Sequence, residues 1–181
     1  MKKTYDIIIG GGGIIGSVTA LALAEQGFCV ALVDEMPTNK EAGLKFDGRA
    51  YAFSLTTVKM LRVLGIWKDL VNTAQPILDV KVSDGIAGSG ASPFYMHFDH
   101  RDMESGPIGY MVEDRFLRRM LYKRLMSNKK VVTFFGSKIL NQAVKPGHIE
   151  VRFEDSSIIL GKILIGSDGR RSLIGERSGI K

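Results

Sequence analysis

The stretch from residue 5 to residue 35, YDIIIGGGGIIGSVTALALAEQGFCVALVDE, leaves little freedom in how this chain starts to fold. A short apolar run, Tyr5 to Ile9, enters a glycine block in which Gly11, Gly13 and Gly16 keep the spacing G-x-G-x-x-G. A helical pattern follows, with Ile14, Ile15, Val18, Leu21, Ala22 and Ala24 on one apolar face. Gly27 stands where a helix-ending glycine belongs. A second apolar run, Cys29 to Val33, closes on Asp34. The order is strand, tight turn, helix, strand, acid, and it predicts a parallel βαβ unit.

Each glycine of the turn has a physical role in that unit. The passage from strand to helix is too tight for a side chain at Gly11. A Cβ at Gly13 would hold a pyrophosphate away from the backbone, and one at Gly16 would separate the helix from the sheet. The first helical N–H groups point at the phosphates, and the helix dipole favours their charge. Asp34 lies about 20 residues beyond the turn, where a carboxylate accepts hydrogen bonds from ribose hydroxyls. An acid there repels a 2′-phosphate, which argues against NADP in this site and leaves both FAD and NAD open. A unit that uses its glycines for packing alone would not need that acid.

The 181 residues suffice for one domain with a real core, or for one domain plus a small appendage. Apolar residues make up 45% and charged residues 24%, ordinary values for a soluble globular chain. The net charge of +6 is compatible with nucleic acid, an anionic cofactor or an acidic membrane surface, but a lysine-rich solvated surface accounts for it. Cys29, the one cysteine, has no disulfide partner in the chain and is expected to be a small buried hydrophobe. No apolar run approaches the roughly 18 residues that span a bilayer. These features lead us to expect a cytoplasmic protein, with peripheral contact to the inner membrane still permitted.

Further along, residues 36–48 are polar and marked by Gly and Pro, and read as a loop. From Ser54, a candidate N-cap, Leu55, Val58, Leu61 and Val63–Leu64 form a helical stripe that ends at Gly65. Arg49 precedes this helix; its fork of donors suits a phosphate or flavin, and a plain surface arginine is the equal alternative. Residues 77–84 alternate like a strand, 83–93 read as a loop, 94–99 as a strand, 100–107 as a loop and 108–112 as a third strand. Three extended pieces in a row predict a second sheet inserted into the first domain. His97 and His100 lie there without an accompanying metal-ligand cluster in the sequence, so no metal is expected.

Residues 113–127 make a clear amphipathic helix, with Phe116, Leu117, Met120, Leu121 and Leu125 on one stripe and Glu113 and Asp114 at its N-terminal end. Its other face is basic, and too few aromatics are interleaved to suggest nucleic acid. VVTFF, residues 131–135, reads as a buried parallel strand. Residues 138–160 alternate around the turn Lys145–Pro146–Gly147–His148, as in a β-meander. KILIG, residues 162–166, is a further strand that delivers the stretch GSDGRRS. Asp168–Gly169 at that strand end puts a carboxylate and a flexible backbone where open α/β sheets bind ligands.

Four stretches together resemble the flavoprotein aromatic hydroxylases with the p-hydroxybenzoate-hydroxylase fold, and most nearly the ubiquinone-biosynthesis hydroxylases, the 2-octaprenyl-phenol monooxygenases. They are the Gly11/Gly13/Gly16 turn with Asp34, then DGRAYAFSLTTVKMLRVLGIW, IGYMVEDRFLRRML and GSDGRRSLIGERSGI. The resemblance covers essentially the whole chain. It implies an α/β fold: a Rossmann-like FAD-binding βαβ core at 1–76 and 113–181, with inserted antiparallel strands of a partial substrate domain at 77–112. It implies FAD as cofactor and NAD(P)H as co-substrate. Gly11, Gly13 and Gly16 would face the FAD pyrophosphate, Asp34 the adenosine ribose and Arg49 the flavin side. Glu113 would approach the cofactor, and Asp168 would touch FAD and assist NAD(P)H. No side chain is singled out as catalytic acid, base or nucleophile.

The implied reaction is oxygen-dependent ring hydroxylation of a prenylated phenol. Other reactions on the same fold, isoprenoid reduction or epoxidation, are alternatives, as is an ordinary NAD-binding dehydrogenase. Two departures from the family pattern stand out. Gly175 occupies a place where the family has arginine, with Arg177 nearby. The sequence ends at Lys181, before a third, Gly-Asp flavin motif. The expectation is therefore an N-terminal portion, weakly active or inactive and poorly soluble in isolation. Such a portion would depend on a complementary C-terminal half or a biosynthetic complex, or would be a non-catalytic remnant.

Overall fold

The computed structural model describes residues 3–37, 46–86, 88, 90–102 and 106–180. The chain starts with strand β1 (Lys3–Gly10), helix α1 (Ile14–Glu25) and strand β2 (Val30–Asp34). Next come β3 (Ala50–Ser54), α2 (Leu55–Val63), α3 (Trp67–Leu70), β4 (Gln75–Ile77), β5 (Asp79–Ile86), β6 (Gly90–Asp99) and β7 (Gly109–Glu113). It closes with α4 (Asp114–Ser127), β8 (Val131–Phe135), β9 (Ile139–Lys145), β10 (His148–Phe153), β11 (Ile158–Gly166) and α5 (Leu173–Arg177). Two compact units result: Met1–Leu44 with Arg118–Lys181, and Lys45–Leu117.

The first unit is built on a six-stranded sheet in the order β8-β2-β1-β11-β10-β9. β8, β2, β1 and β11 run parallel, whereas β10 is antiparallel to both β11 and β9. Ile7, Ile8, Ile9 and Val30 to Val33 are all buried, which is why β1 and β2 read as unbroken apolar runs. Tyr5, Ile8, Ala31, Val33, Val151, Phe153 and Ile159 form one core cluster, with Phe134, Ile139 and Leu164 packed against it. Aromatic rings knit that cluster: Tyr5 meets Phe134 edge-on at 6.0 Å, and Phe134 stacks on Phe153 at 5.5 Å. The meander turns where the sequence placed it, around Pro146–Gly147.

α1 differs from its sequence pattern in one respect. It buries Gly16, Ser17, Ala20, Leu21 and Ala24, while Ile15 is 72% exposed. Small residues let the helix lie close, so the buried stripe follows size rather than hydrophobicity alone. At its C-terminus the Gly27 N–H donates to the Ala24 carbonyl at 2.9 Å and the Phe28 N–H to the Leu23 carbonyl at 3.2 Å. This is the Schellman pair, and Gly27 adopts φ +90° to make it. Two other expectations change. Cys29 is exposed rather than buried, because it precedes β2 and sits at the rim of the sheet. Its backbone N–H donates to the Asp6 carboxylate, and its carbonyl accepts from the Asp6 and Ile7 N–H groups. β8 is parallel as expected, but it is an edge strand and only half covered.

In the second unit Ser54 caps α2, its hydroxyl accepting from the Thr57 N–H at 3.3 Å. Val58 and Leu61 are buried, whereas Val63, placed on the stripe by the sequence, is 87% exposed. Ile66, Trp67 and Leu70 are buried, and Trp67 meets Tyr110 edge-on at 4.9 Å. The three extended pieces do not make one sheet. β7 pairs with β3 on one side and β4 on the other, and β5 pairs with β6 as a two-stranded ribbon. Much of the expected loop at 83–93 is strand, since β5 runs to Ile86 and β6 begins at Gly90; residues 87 and 89 lie outside the described residues. So do 38–45 of the loop expected at 36–48, and 103–105 of the loop expected at 100–107. α4, whose residues from Arg118 onward belong to the first unit, carries Leu117, Leu121 and Leu125 as its buried repeat.

Replacing Gly27 tests the cap by itself, because a Cβ there would meet no atom within 4 Å. Gly27→Ala should keep the fold and lower its stability by about 1 kcal/mol, the cost of a left-handed alanine. Equilibrium urea unfolding measures this, and an unchanged midpoint would contradict it.

Candidate functional site

β1, β2 and β11 run parallel, so their C-terminal ends share one edge of the sheet. Two backbone bonds tie these ends together. The Gly11 N–H donates to the Val33 carbonyl, and the Ser167 N–H donates to the Gly10 carbonyl, both at 2.7 Å. The two motifs, far apart in sequence, are therefore in direct contact. Gly11 has φ +103°, and a Cβ on it would lie 2.3 Å from the Ser167 carbonyl oxygen and 2.7 Å from the Asp168 nitrogen. Only glycine fits there.

Gly16 is constrained for a reason more local than expected. A Cβ on it would lie 1.9 Å from the carbonyl oxygen of Gly11, so it protects the turn itself before the packing of helix on sheet. Ser17, which the sequence reading passed over, closes the same turn: it is 3% exposed and its hydroxyl donates to the Gly12 carbonyl at 2.9 Å. Gly13 is the opposite case. It is the N-cap of α1 and contributes no capping side chain. A Cβ on it would meet nothing within 4 Å, so the space beside it is open. The first N–H groups of a helix have no intrahelical acceptors and attract an anion into such a space.

Each carboxylate of the site accepts at least one backbone N–H. Asp34 accepts from the Gly12 N–H on Oδ2 and from the Met36 N–H at 2.7 Å on Oδ1. A carboxylate has about four acceptor positions, so roughly two remain for a ligand hydroxyl. Asp168 accepts from the Ser172 hydroxyl on Oδ1 and from the Ile174 N–H at 3.1 Å on Oδ2. Ile174 locks this arrangement. It is 6% exposed, and its side chain fills the hollow beside Gly10 and Gly166, where an added Cβ would lie 2.2 and 3.2 Å from it. The Gln142 amide reaches the Ile174 carbonyl at 3.2 Å.

Gly11, Gly13, Asp34 and Asp168 line one cleft of about 380 Å³. Glu35 and Met36 continue its wall beyond β2, and Ser137, Lys138 and Ile139 continue it beyond β8. Arg171 and Arg177 line it from the segment that follows Asp168. The sequence reading found the glycines and both acids but assigned none of these three cations. Gly16 is not part of the lining; it supports the turn from behind.

Arg49 and Glu113 belong to the second unit, where the structure brings them to the same end of one sheet: Ala50 pairs with Glu113. Arg49 donates through Nε to Asp47 at 2.7 Å and lies 3.5 Å from Asp114 Oδ2. Its hydrogen bond holds the Asp47 carboxyl below the ordinary carboxylate range. Glu113 pairs with Arg115 at 2.6 Å. Asp114, read from the sequence only as helix-dipole charge, is 3% exposed and accepts from the Tyr51 hydroxyl at 2.6 Å. The histidines prove to have carboxylate company: Asp79, His97 and Asp99 converge on the β5–β6 ribbon. The Asp99 carboxyl is already committed to Arg101, whose hydrogen bonds hold it well below its ordinary range. Among the described residues no helix is long and apolar enough to cross a membrane.

This geometry agrees with what the chain resembles. Over 178 residues it is 32% identical to the ubiquinone hydroxylase UbiL of Rhodospirillum rubrum, covering 98% of this chain and 40% of that protein. It is 28% identical to the 3-demethoxyubiquinol 3-hydroxylase of Escherichia coli, covering 99% of this chain and 45% of that one. The chain thus spans less than half the length of these curated relatives. Among solved structures, p-nitrophenol 4-monooxygenase PnpA from Pseudomonas putida superposes with a TM-score of 0.78 at 17% identity, covering 99% of this chain and 44% of that one, which speaks for a shared fold. The FAD binding domain family model matches residues 4–181, almost the full sequence. With the glycine turn, the paired acids and the cleft at the strand ends, this match establishes that the chain belongs to the FAD-binding domain family.

Proposed function

We propose that this chain is the FAD-binding portion of an NAD(P)H- and O2-dependent hydroxylase that acts on a polyprenylated phenol in ubiquinone biosynthesis. The observation that carries the reading is the open cleft at the ends of β1, β2 and β11, with free space beside Gly13 and an acid on either side. That space and the donors around it fit a dinucleotide. The names of the curated relatives support the substrate class. Residues 77–112 are taken as part of the substrate domain. A complementary segment, whether on the same polypeptide or on a partner, would complete the enzyme.

In this reading Gly11 and Gly16 shape the turn, and Gly13 lets the pyrophosphate approach the backbone. Asp34 accepts from the adenosine ribose with the positions left by Gly12 and Met36. Asp168 orients its loop toward FAD and toward NAD(P)H. Arg49 and Glu113 serve the flavin side. When bound, FAD supplies the redox chemistry, and the protein contributes binding, orientation and exclusion of water.

The test is a visible spectrum of the purified chain, incubated with FAD and then desalted. Retained flavin bands are expected; a colourless, folded protein would overturn the FAD reading of this cleft. Two variants separate the roles of the glycines. Gly13→Val should abolish FAD retention with little change in circular dichroism, because a Cβ at this position would meet no protein atom within 4 Å. Gly16→Ala should instead destabilise the fold by about 3 kcal/mol or more, because backbone stands in the way. Equal FAD affinity in Gly13→Val would refute the placement of the pyrophosphate.

A further inference from the structure

The charged side chains that line the cleft differ in what already engages them. Asp34 and Asp168 hold backbone and hydroxyl donors. Lys138 lies 3.6 Å from Glu154, and Arg177 donates to the Ile139 carbonyl at 3.4 Å. Among the cations Arg171 stands apart: it lines the cleft, is exposed, and has no hydrogen-bond or ion-pair partner among the described residues. It lies two residues after Gly169, which has φ +88°, so the turn that delivers the acid also delivers the guanidinium. Arg170, its neighbour, is equally cationic but is absent from the cleft wall.

We propose that Arg171 is a cofactor-binding residue that grips the phosphates of the dinucleotide in the cleft, facing the backbone donors of the Gly11–Gly13 turn. The inference rests on the FAD reading of the cleft and adds a side chain to it. The physical reason is charge. A dinucleotide brings two negative phosphates, and at the turn the protein meets them with backbone N–H groups and a helix dipole, which together amount to about half a positive charge. The acids Asp34, Glu35 and Asp168 line the same cleft and oppose an anion. A full, uncommitted cation offsets that opposition. A planar guanidinium meets phosphate through two parallel hydrogen bonds, which an ammonium does not reproduce.

The test titrates the 181-residue chain and three variants, Arg171→Gln, Arg171→Lys and Arg170→Gln, with FAD, ADP, adenosine and NADPH, by flavin fluorescence and calorimetry. Arg171→Gln should weaken FAD and ADP about tenfold, as expected for the loss of a charge-assisted hydrogen bond. Arg171→Lys should restore part of that affinity. Adenosine, which has no phosphate, should bind all these proteins alike, and the FAD difference should shrink as salt is raised. Arg170→Gln should leave FAD affinity unchanged. The proposal is overturned if Arg171→Gln binds FAD as the parent does, if adenosine is lost in parallel, if Arg170→Gln loses as much, or if only NADPH is weakened. A parent chain that takes up no FAD overturns the FAD reading and this proposal with it, whereas FAD uptake unaffected by Arg171→Gln overturns this proposal alone.

Discussion

The contact between Gly11 and the backbone at Ser167–Asp168 governs the first unit. A Cβ at Gly11 would stand 2.3 Å from a carbonyl oxygen, so two strand ends and two loops meet there with no side chain between them. The parallel pairing of β1 with β11 brings them together, with Gly10 opposite Gly166 at the last register position. Because no side chain intervenes, backbone bonds can run from β2 to the turn and from β1 to β11. The cleft is what remains open beyond that junction. Its walls are carried by the strand ends and by the loops that leave them.

Much of this was legible in the sequence because the constraints are local. G-x-G-x-x-G followed by a helix and an acid specifies a βαβ unit, and β1, α1 and β2 formed within a residue or two of the expected places. Asp168 was legible for a different reason, as an acid and a glycine at the end of a strand. What escaped was set by tertiary contact. Cys29 looks apolar in sequence but belongs to the rim, where its backbone answers Asp6. Ile15 looks like core but yields to Gly16, Ser17 and Ala20, because only small residues allow α1 to lie close. β3 was missed since AYAFS runs straight into α2, and its partner β7 lies more than 50 residues away. Arg171 could be seen as a charge but not as a cleft residue, for nothing local says which of two adjacent arginines faces the site.

The second unit spends its charges differently. Asp114 is nearly buried and receives the Tyr51 hydroxyl, with Arg49 beside it. Burying a carboxylate is costly unless donors surround it. Its backbone N–H also donates to the Arg49 carbonyl, so β3 and the start of α4 are joined at main chain and side chain alike. Arg49 is therefore oriented from two sides, by Asp47 and by Asp114. An arginine held this way loses less freedom on meeting a ligand than a solvated one would.

Asp168 takes its donors from four and six residues further on, but packing holds those donors in place. The helix that supplies its backbone donor, α5, has only five residues, too few to be stable alone. What keeps α5 in place is Ile174, set into the hollow that Gly10 and Gly166 leave open, with Gln142 of β9 holding its carbonyl. Larger residues at either glycine would expel Ile174, and the Asp168 carboxylate would lose the Ile174 N–H that fixes one of its oxygens. The glycines outside the recognisable turn thus act on the acid at a distance of one side chain. The same logic explains why the Asp-Gly pair alone is a weak signal: its meaning depends on an isoleucine six residues later and on two glycines from different strands.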